Sequence, residues 1–234
     1  MIEVEAPAKL TVSLRVTGVR DDGYHLIDAE MVTLDFGDRL EIDPDGDGLE
    51  ILGAVDTVVA DEDNLVRRAL RLVSRRAFVR VHKSIPPGAG LGGGSADAAA
   101  VLRWAHYEDL QGAASIGADV AFCLVGGRAR VTGIGEVVEP LPSLARAYTL
   151  LTPSFGCPTP AVYRMWDALG GPQGDNGNDL EAAALAVEPR LASVRDDLAE
   201  ATGRRPRLAG SGSTWFVDGA FPGEGRVVAH TIER

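Results

Sequence analysis

Pro86-Pro87-Gly88-Ala89-Gly90-Leu91-Gly92-Gly93-Gly94-Ser95-Ala96-Asp97-Ala98-Ala99-Ala100 is the stretch that decides how this chain is read. Five of the seven residues from 88 to 94 are glycine, and an alanine-rich run follows. That order describes a loop opening onto a helix N-terminus, where unpaired amides and a partial positive charge favour phosphate oxygens. Glycines admit positive φ and leave no Cβ between those amides and a ligand. Glycine runs also serve plain turns. Here strand-like Phe78-Val79-Arg80-Val81-His82 precedes the loop and a helix follows it, which favours the phosphate reading. No lysine follows Gly94, so the loop is not a Walker A loop, and it lies far from the N-terminal strand that a dinucleotide fingerprint would follow.

The bulk properties bound the rest. A chain of 234 residues with 45% hydrophobic content suits two small domains or one large one. No stretch of 18 apolar residues suggests a membrane span. The acidic start Met1-Ile2-Glu3-Val4-Glu5 reads as a strand rather than a signal peptide. Two cysteines, Cys123 and Cys157, without metal-ligand company read as small core residues of a cytoplasmic protein. A net charge of −11 and a pI near 4.8 disfavour nucleic acid and repel anions at long range. An anionic substrate must then rely on local donors, helix termini or Mg²⁺. Of 23 Lys plus Arg residues only Lys9 and Lys83 are lysines. Lysines kept in so arginine-rich a chain are candidates for a compact charge beside a phosphate or reacting hydroxyl.

Period-2 alternation predicts strands at 6–16, His25–Leu34, Arg39–Ile42 and Leu49–Leu52, with a turn at Arg20-Asp21-Asp22-Gly23. Asp63-Asn64 starts a helix, and a second runs from the glycine loop to about Tyr107. Gly117–Leu124 opens a short buried helix, and Arg128–Thr132 and Glu136–Val138 return to strand. A second domain is expected near Arg146, with a strand at Ala147–Leu151 and a helix from Pro158 to Ala168. It continues with a mobile loop at Gly170–Asn178, a helix ended by Gly203, and strands at Arg207-Leu208, Thr214–Val217 and Arg226–Thr231.

The pattern Pro-x-Gly-x-Gly-Leu-Gly-Gly-Gly-Ser-x-Asp resembles the nucleotide loop of the GHMP kinases, which include galactokinase, homoserine kinase and mevalonate kinase. Six further segments extend the likeness in order along nearly the whole chain. They are Pro7-Ala8-Lys9-Leu10, Asp22-Gly23-Tyr24-His25, Glu62-Asp63-Asn64-Leu65, Ile116-Gly117-Ala118-Asp119-Val120, Pro158-Thr159-Pro160 and Gly210-Ser211-Gly212. Together they resemble the branch of this family that phosphorylates the 2-hydroxyl of a cytidyl diphosphate substrate in non-mevalonate isoprenoid precursor biosynthesis.

The resemblance implies an α+β fold of two domains. Residues 1–145 would form a ribosomal-protein-S5-like ATP-binding domain, and residues 146–234 a ferredoxin-like C-terminal one. It implies ATP and Mg²⁺ as cofactors, a small-molecule cytidyl diphosphate substrate, and a monomer or weak homodimer with no nucleic-acid or membrane partner. Asp119 matches the catalytic base and Lys9 its partner. Asn64, Leu65 and Lys83 match the adenine side, and Pro86 through Ala96 the phosphate loop, with Ser95 the best protein candidate for Mg²⁺. Tyr24 and His25 would hold cytosine from one side and Tyr163 from the other. Thr159, Pro160 and Ile134 would line the substrate, and Gly210-Ser211-Gly212 would approach the phosphates. Thr11 stands where the family usually has Asn, Ala121 where it usually has Pro, and the stretch 103–115 is short. A kinase for another small alcohol, or a nucleotide-binding relative with weak catalysis, remains an alternative. As plain structure, Asp119 or Ser95 would cap a helix, Lys9 would be a strand-edge charge, Tyr24 and His25 would cover a hairpin end, and 210–212 would be a turn.

Overall fold

Alternating apolar residues over the first forty positions fold into two long antiparallel strands, β1 (Ile2–Val19) and β2 (His25–Asp43), joined by the expected Asp22-Gly23 turn. The structure is a computed structural model, and it describes residues 1–53 and 61–233. The two expected strands at 25–34 and 39–42 are one: β2 runs through Asp35-Phe36-Gly37-Asp38 without a break. Gly37 permits this, because a Cβ there would lie 2.3 Å from the Ala6 carbonyl oxygen of β1. Asp38, which looks like a turn residue, instead accepts the Ile85 amide at 2.8 Å.

β1 covers one edge of β2 along its length. The other edge is divided between β5 (Arg128–Gly133), which pairs with residues 27–32, and β4 (Phe78–His82), which pairs with 39–43. β3 (Gly48–Leu52) runs parallel to β4, and β6 (Val137–Pro140) extends the sheet beyond β5. Four helices lie on this side, α1 (Leu65–Leu72), α2 (Gly93–Trp104), α3 (Leu110–Ile116) and α4 (Val120–Val125); α2 and α4 pack on the strands, α1 packs on α2 and α3 on α4. α2 is central and buried from Ala96 to Leu102; its run of alanines lets the helix approach the sheet closely.

The second sheet is antiparallel and comes wholly from residues after 146, in the order β10 (Arg226–His230), β7 (Ala147–Leu151), β9 (Trp215–Asp218), β8 (Arg207–Leu208). With it lie α5 (Thr159–Ala168), α6 (Glu181–Val187) and α7 (Leu191–Thr202). The face of β1 and β2 away from α2 packs on this sheet, with Ala8, Leu10 and Leu34 against Tyr148, Leu150 and Phe216. Each large side chain sequestered there contributes about 1.5–3 kcal/mol of burial.

α3 and α6 were not expected. The loop at 170–178, expected to be mobile, is tied to β1: Leu14 donates its amide to the Gly177 carbonyl at 2.8 Å, and Arg15 pairs with buried Asp179 at 2.6 Å. Cys123 and Cys157 are buried free thiols, as expected. No helix among the described residues is long and apolar enough to cross a membrane.

Candidate active site

The glycine loop turns onto α2 through Gly92, the N-cap, whose φ of +71° is left-handed. Gly93, Gly94 and Ser95 form the first turn, whose amides have no partners within the helix. Ser95, the third residue of α2, lines the cleft. Protein contacts from β1 and from the second sheet shape the loop. Lys9 of β1 donates its amide to the Leu91 carbonyl at 3.0 Å, and Thr214 donates its amide to the Ala89 carbonyl at 3.1 Å. At Gly90, with φ of +77°, a Cβ would fall 2.6 Å from the Ala209 oxygen and 2.7 Å from the Gly212 oxygen. Glycine at 90 is therefore demanded by the Gly210-Ser211-Gly212 turn pressing on the loop. Direct approach to phosphate, the expected reason, is not needed to explain it.

The loop forms one wall of a cleft of about 1030 Å³. At its floor Lys9, only 5% exposed, points its ammonium at Asp119 Oδ2, 3.1 Å away, and donates to Thr11 Oγ1 at 3.0 Å. Asp119 occupies the N-cap of α4 yet its side chain caps nothing, so the carboxylate is left for Lys9 and the cleft. The helix-cap reading of Asp119 and the strand-edge reading of Lys9 both fail on this geometry. Lys9 faces the interior of the molecule. Thr11, in the usual place of Asn, keeps an oxygen on the ammonium.

On one side Asn64 caps α1 by accepting the Val66 amide at 2.9 Å, and both Asn64 and Leu65 line the cleft. Lys83 lines it too, but its ammonium is fixed under the loop between Asp38 and Asp97, 2.7 Å from Asp97 Oδ2. Burial works against the charge on Lys83, and the two carboxylates outweigh it and hold its pKa above the usual lysine value. Burial pushes Asp97 up to about 7, with Lys83 opposing and Asp38 reinforcing the shift. One oxygen of Asp97, Oδ1, is buried without a hydrogen-bond partner.

On the other side, the rings of His25 and Tyr163 lie 4.7 Å apart, and Trp166 meets His25 edge-on at 5.6 Å. His25 Nε2 donates to Asp167 Oδ1 at 2.8 Å, which in the neutral ring leaves Nδ1 as an acceptor. Burial and, secondarily, the charge of Asp119 raise the Tyr163 hydroxyl above the ordinary phenol range. Tyr24, 60% exposed, stands at the rim, with Ile134, Thr159 and Pro160 along the wall. Thr159 and Ser211 share a hydroxyl–hydroxyl bond of 2.8 Å.

The description "GHMP kinases N terminal domain" matches residues 64–127, from the N-cap of α1 to the end of α4. A 4-diphosphocytidyl-2-C-methyl-D-erythritol kinase of Paracoccus denitrificans is 40% identical over 90% of this chain and 84% of its own length. The protein of the same name from Paramagnetospirillum magneticum is 39% identical over 91% and 87%. The chain belongs to this kinase family. A crystal structure of 4-(cytidine 5'-diphospho)-2C-methyl-D-erythritol kinase superposes with a TM-score of 0.76 at 29% identity, covering 98% of both chains. A homoserine kinase from Cytophaga hutchinsonii, at 19% identity and a TM-score of 0.64, shares the fold. The protein is thus a small-molecule kinase of the GHMP fold, as the glycine loop led one to expect.

The site residues taken from the sequence line the kinase's large cleft, with the exceptions of Ala96, which is buried in α2 behind it, and Gly212, which follows the lining residues Gly210 and Ser211. Sequence reasoning did not single out Trp166, Asp167 or Asp38. The first two were legible in principle, since Tyr163, Trp166 and Asp167 stand at i, i+3 and i+4 and share a face of α5. Asp38 was not, because only the folded sheet brings it to Lys83.

Proposed function

We propose that this kinase transfers the γ-phosphoryl group of ATP to the 2-hydroxyl of 4-diphosphocytidyl-2-C-methyl-D-erythritol. The observation that carries the proposal is the Lys9–Asp119 pair at 3.1 Å, seated between a glycine loop and an aromatic cluster. A hydroxyl is a poor nucleophile until its proton leaves, and Asp119 is the carboxylate positioned to take it. The hydroxyl oxygen then forms its bond to the γ-phosphorus as the bond to the β-phosphate oxygen breaks and ADP leaves. Lys9, steadied by Thr11, holds Asp119 in place and offsets charge developing on the alkoxide. The amides of Gly93, Gly94 and Ser95 receive the phosphates. Asn64 and Leu65 support the adenine end, with Lys83 setting the loop from below.

Among the described residues no three His, Cys, Asp or Glu side chains gather into a metal site. That suits Mg²⁺, which takes one or two protein oxygens and completes its shell with phosphates and water; Ser95 is the hydroxyl that would contribute. When bound, Mg²⁺ would neutralise charge on the transferring phosphates. At the far end Tyr24 and Tyr163 supply faces for cytosine, and His25 Nδ1 an acceptor for its amino group. Ile134, Thr159 and Pro160 border the same path, and Gly210-Ser211-Gly212 closes on the loop. A boundary near residue 145 would divide the ATP-binding part from the second sheet. The enzyme would work as a monomer or weak homodimer in the cytoplasm, to which its buried free thiols are suited.

A coupled assay of ADP release with the cytidyl substrate, homoserine and mevalonate tests the proposal. Turnover on the first alone is expected. Faster turnover of either other alcohol, or ATP binding with no transfer, would overturn it.

A further inference from the structure

Nearly every arginine in this acidic chain is engaged by a carboxylate, a carbonyl or an aromatic ring. Among the described residues, Arg164 of α5 is the one arginine whose side chain has no such partner. Its nearest carboxylate by helical spacing, Asp167 at i+3, is committed to His25 Nε2. Arg164 nevertheless lines the cleft, next in sequence to Tyr163. The other cations of the cleft are less available: Lys9 faces Asp119, Lys83 is held by two aspartates, and Arg68 on the α1 side donates to the Ser115 carbonyl at 3.2 Å.

Under the cytidyl reading, on which this inference rests, the acceptor must span from the aromatic cluster to the Lys9–Asp119 floor. The two ends are joined by a diphosphate, and Tyr163 and Arg164 line the same cleft as both ends. In a protein of net charge −11 that dianion needs a local cation. A guanidinium offers paired donors matched to phosphate oxygens and does not lose its charge. We propose that Arg164 is a specificity-determining residue that binds the diphosphate of the nucleotidyl acceptor, reading the link while the aromatic cluster reads the base. An arginine left unpaired at this place in the free protein does not have to break an existing ion pair to bind.

Titration calorimetry of the full chain with CDP, cytidine and ATP tests the proposal in the wild type, Arg164→Ala and Arg164→Lys. The wild type is expected to prefer CDP over cytidine by about tenfold or more, some 1.4 kcal/mol. Arg164→Ala should lose most of that preference while its affinities for cytidine and ATP and its Tm stay unchanged. Arg164→Lys should keep part of it. An unaltered CDP-to-cytidine ratio in Arg164→Ala, or a parallel loss of ATP affinity, would overturn the assignment. A wild type that phosphorylates the cytidyl substrate while Arg164→Ala keeps its ratio refutes Arg164 alone. A wild type that binds neither CDP nor the cytidyl substrate refutes the functional reading, and the assignment with it.

Discussion

Replacing Gly90 by alanine should cost stability through a contact between two loops, and the structure supplies its own control. Gly90 and Gly127 have nearly the same φ, +77° and +72°. Forcing an L-residue into that left-handed region costs about 1 kcal/mol at either site. A Cβ at 127 meets nothing within 4 Å, whereas one at 90 lands 2.6 Å and 2.7 Å from two backbone oxygens. Backbone cannot swing aside like a side chain, so the 209–212 turn must move, an overpacking cost of about 1–3 kcal/mol. Gly127→Ala should therefore lose about 1 kcal/mol and Gly90→Ala roughly 2–4 kcal/mol in urea unfolding monitored by tryptophan fluorescence. Gly90→Ala should also raise KM for ATP, since the displaced loop carries the first-turn amides. Equal destabilisation of the two variants would refute the clash and return the demand for glycine to the ligand side of the loop.

Asp119→Asn should lower kcat by on the order of 10²–10⁴ with little change in ATP affinity, and near-normal turnover would remove Asp119 as the base. Lys9→Arg should lose at least about tenfold in kcat with folding and ATP binding intact, because a planar guanidinium does not fit between Asp119, Thr11 and Gly92. Wild-type-like turnover in that variant would show that only charge matters there. Truncating Tyr24 and His25 together to alanine should raise KM for the cytidyl substrate far more than KM for ATP. A fall in Tm with both constants moving together would mark them as hairpin cover instead. Asp97 has its pKa raised from the ordinary 3.8 to about 7, so its contribution to stability is full below pH 4 and lost as pH rises through about 7. Asp97→Asn, neutral throughout, should flatten that decline and gain on the wild type at pH 8 by on the order of 1–4 kcal/mol, read from urea midpoints at pH 5 and 8. Parallel pH profiles of the two proteins would rule the assignment out.

Local signals were the legible part of the fold. The Asp-Gly turn, the Asn64 cap and the loop onto α2 each rest on residues adjacent in sequence, and each stands where expected. α3 and α6 were hidden because each is a seven-residue, alanine-rich helix too short to display a periodic face. β2 was divided in two because Gly37 and Asp38 look like a turn when isolated; their roles come from Ala6, Lys83 and Ile85, far away in sequence. The same distance separates the identity of Lys83 from its environment. Its position beside the nucleotide loop could be read off the chain, while the two carboxylates that hold its ammonium could not.

The chain's two lysines are both sealed into the walls of the cleft, Lys9 at 5% exposure and the Lys83 side chain at 4%. The outer surface of the folded enzyme therefore offers no exposed ε-amine. Acylating reagents would modify a lysine here only when the cleft breathes, and peptide mapping of Lys9 and Lys83 separates that reaction from acylation of the exposed Met1 amine. A lysine-specific protease would likewise cut only molecules that have opened locally. The rate of either reaction, followed with and without nucleotide, gives a measure of cleft opening that needs no engineered label.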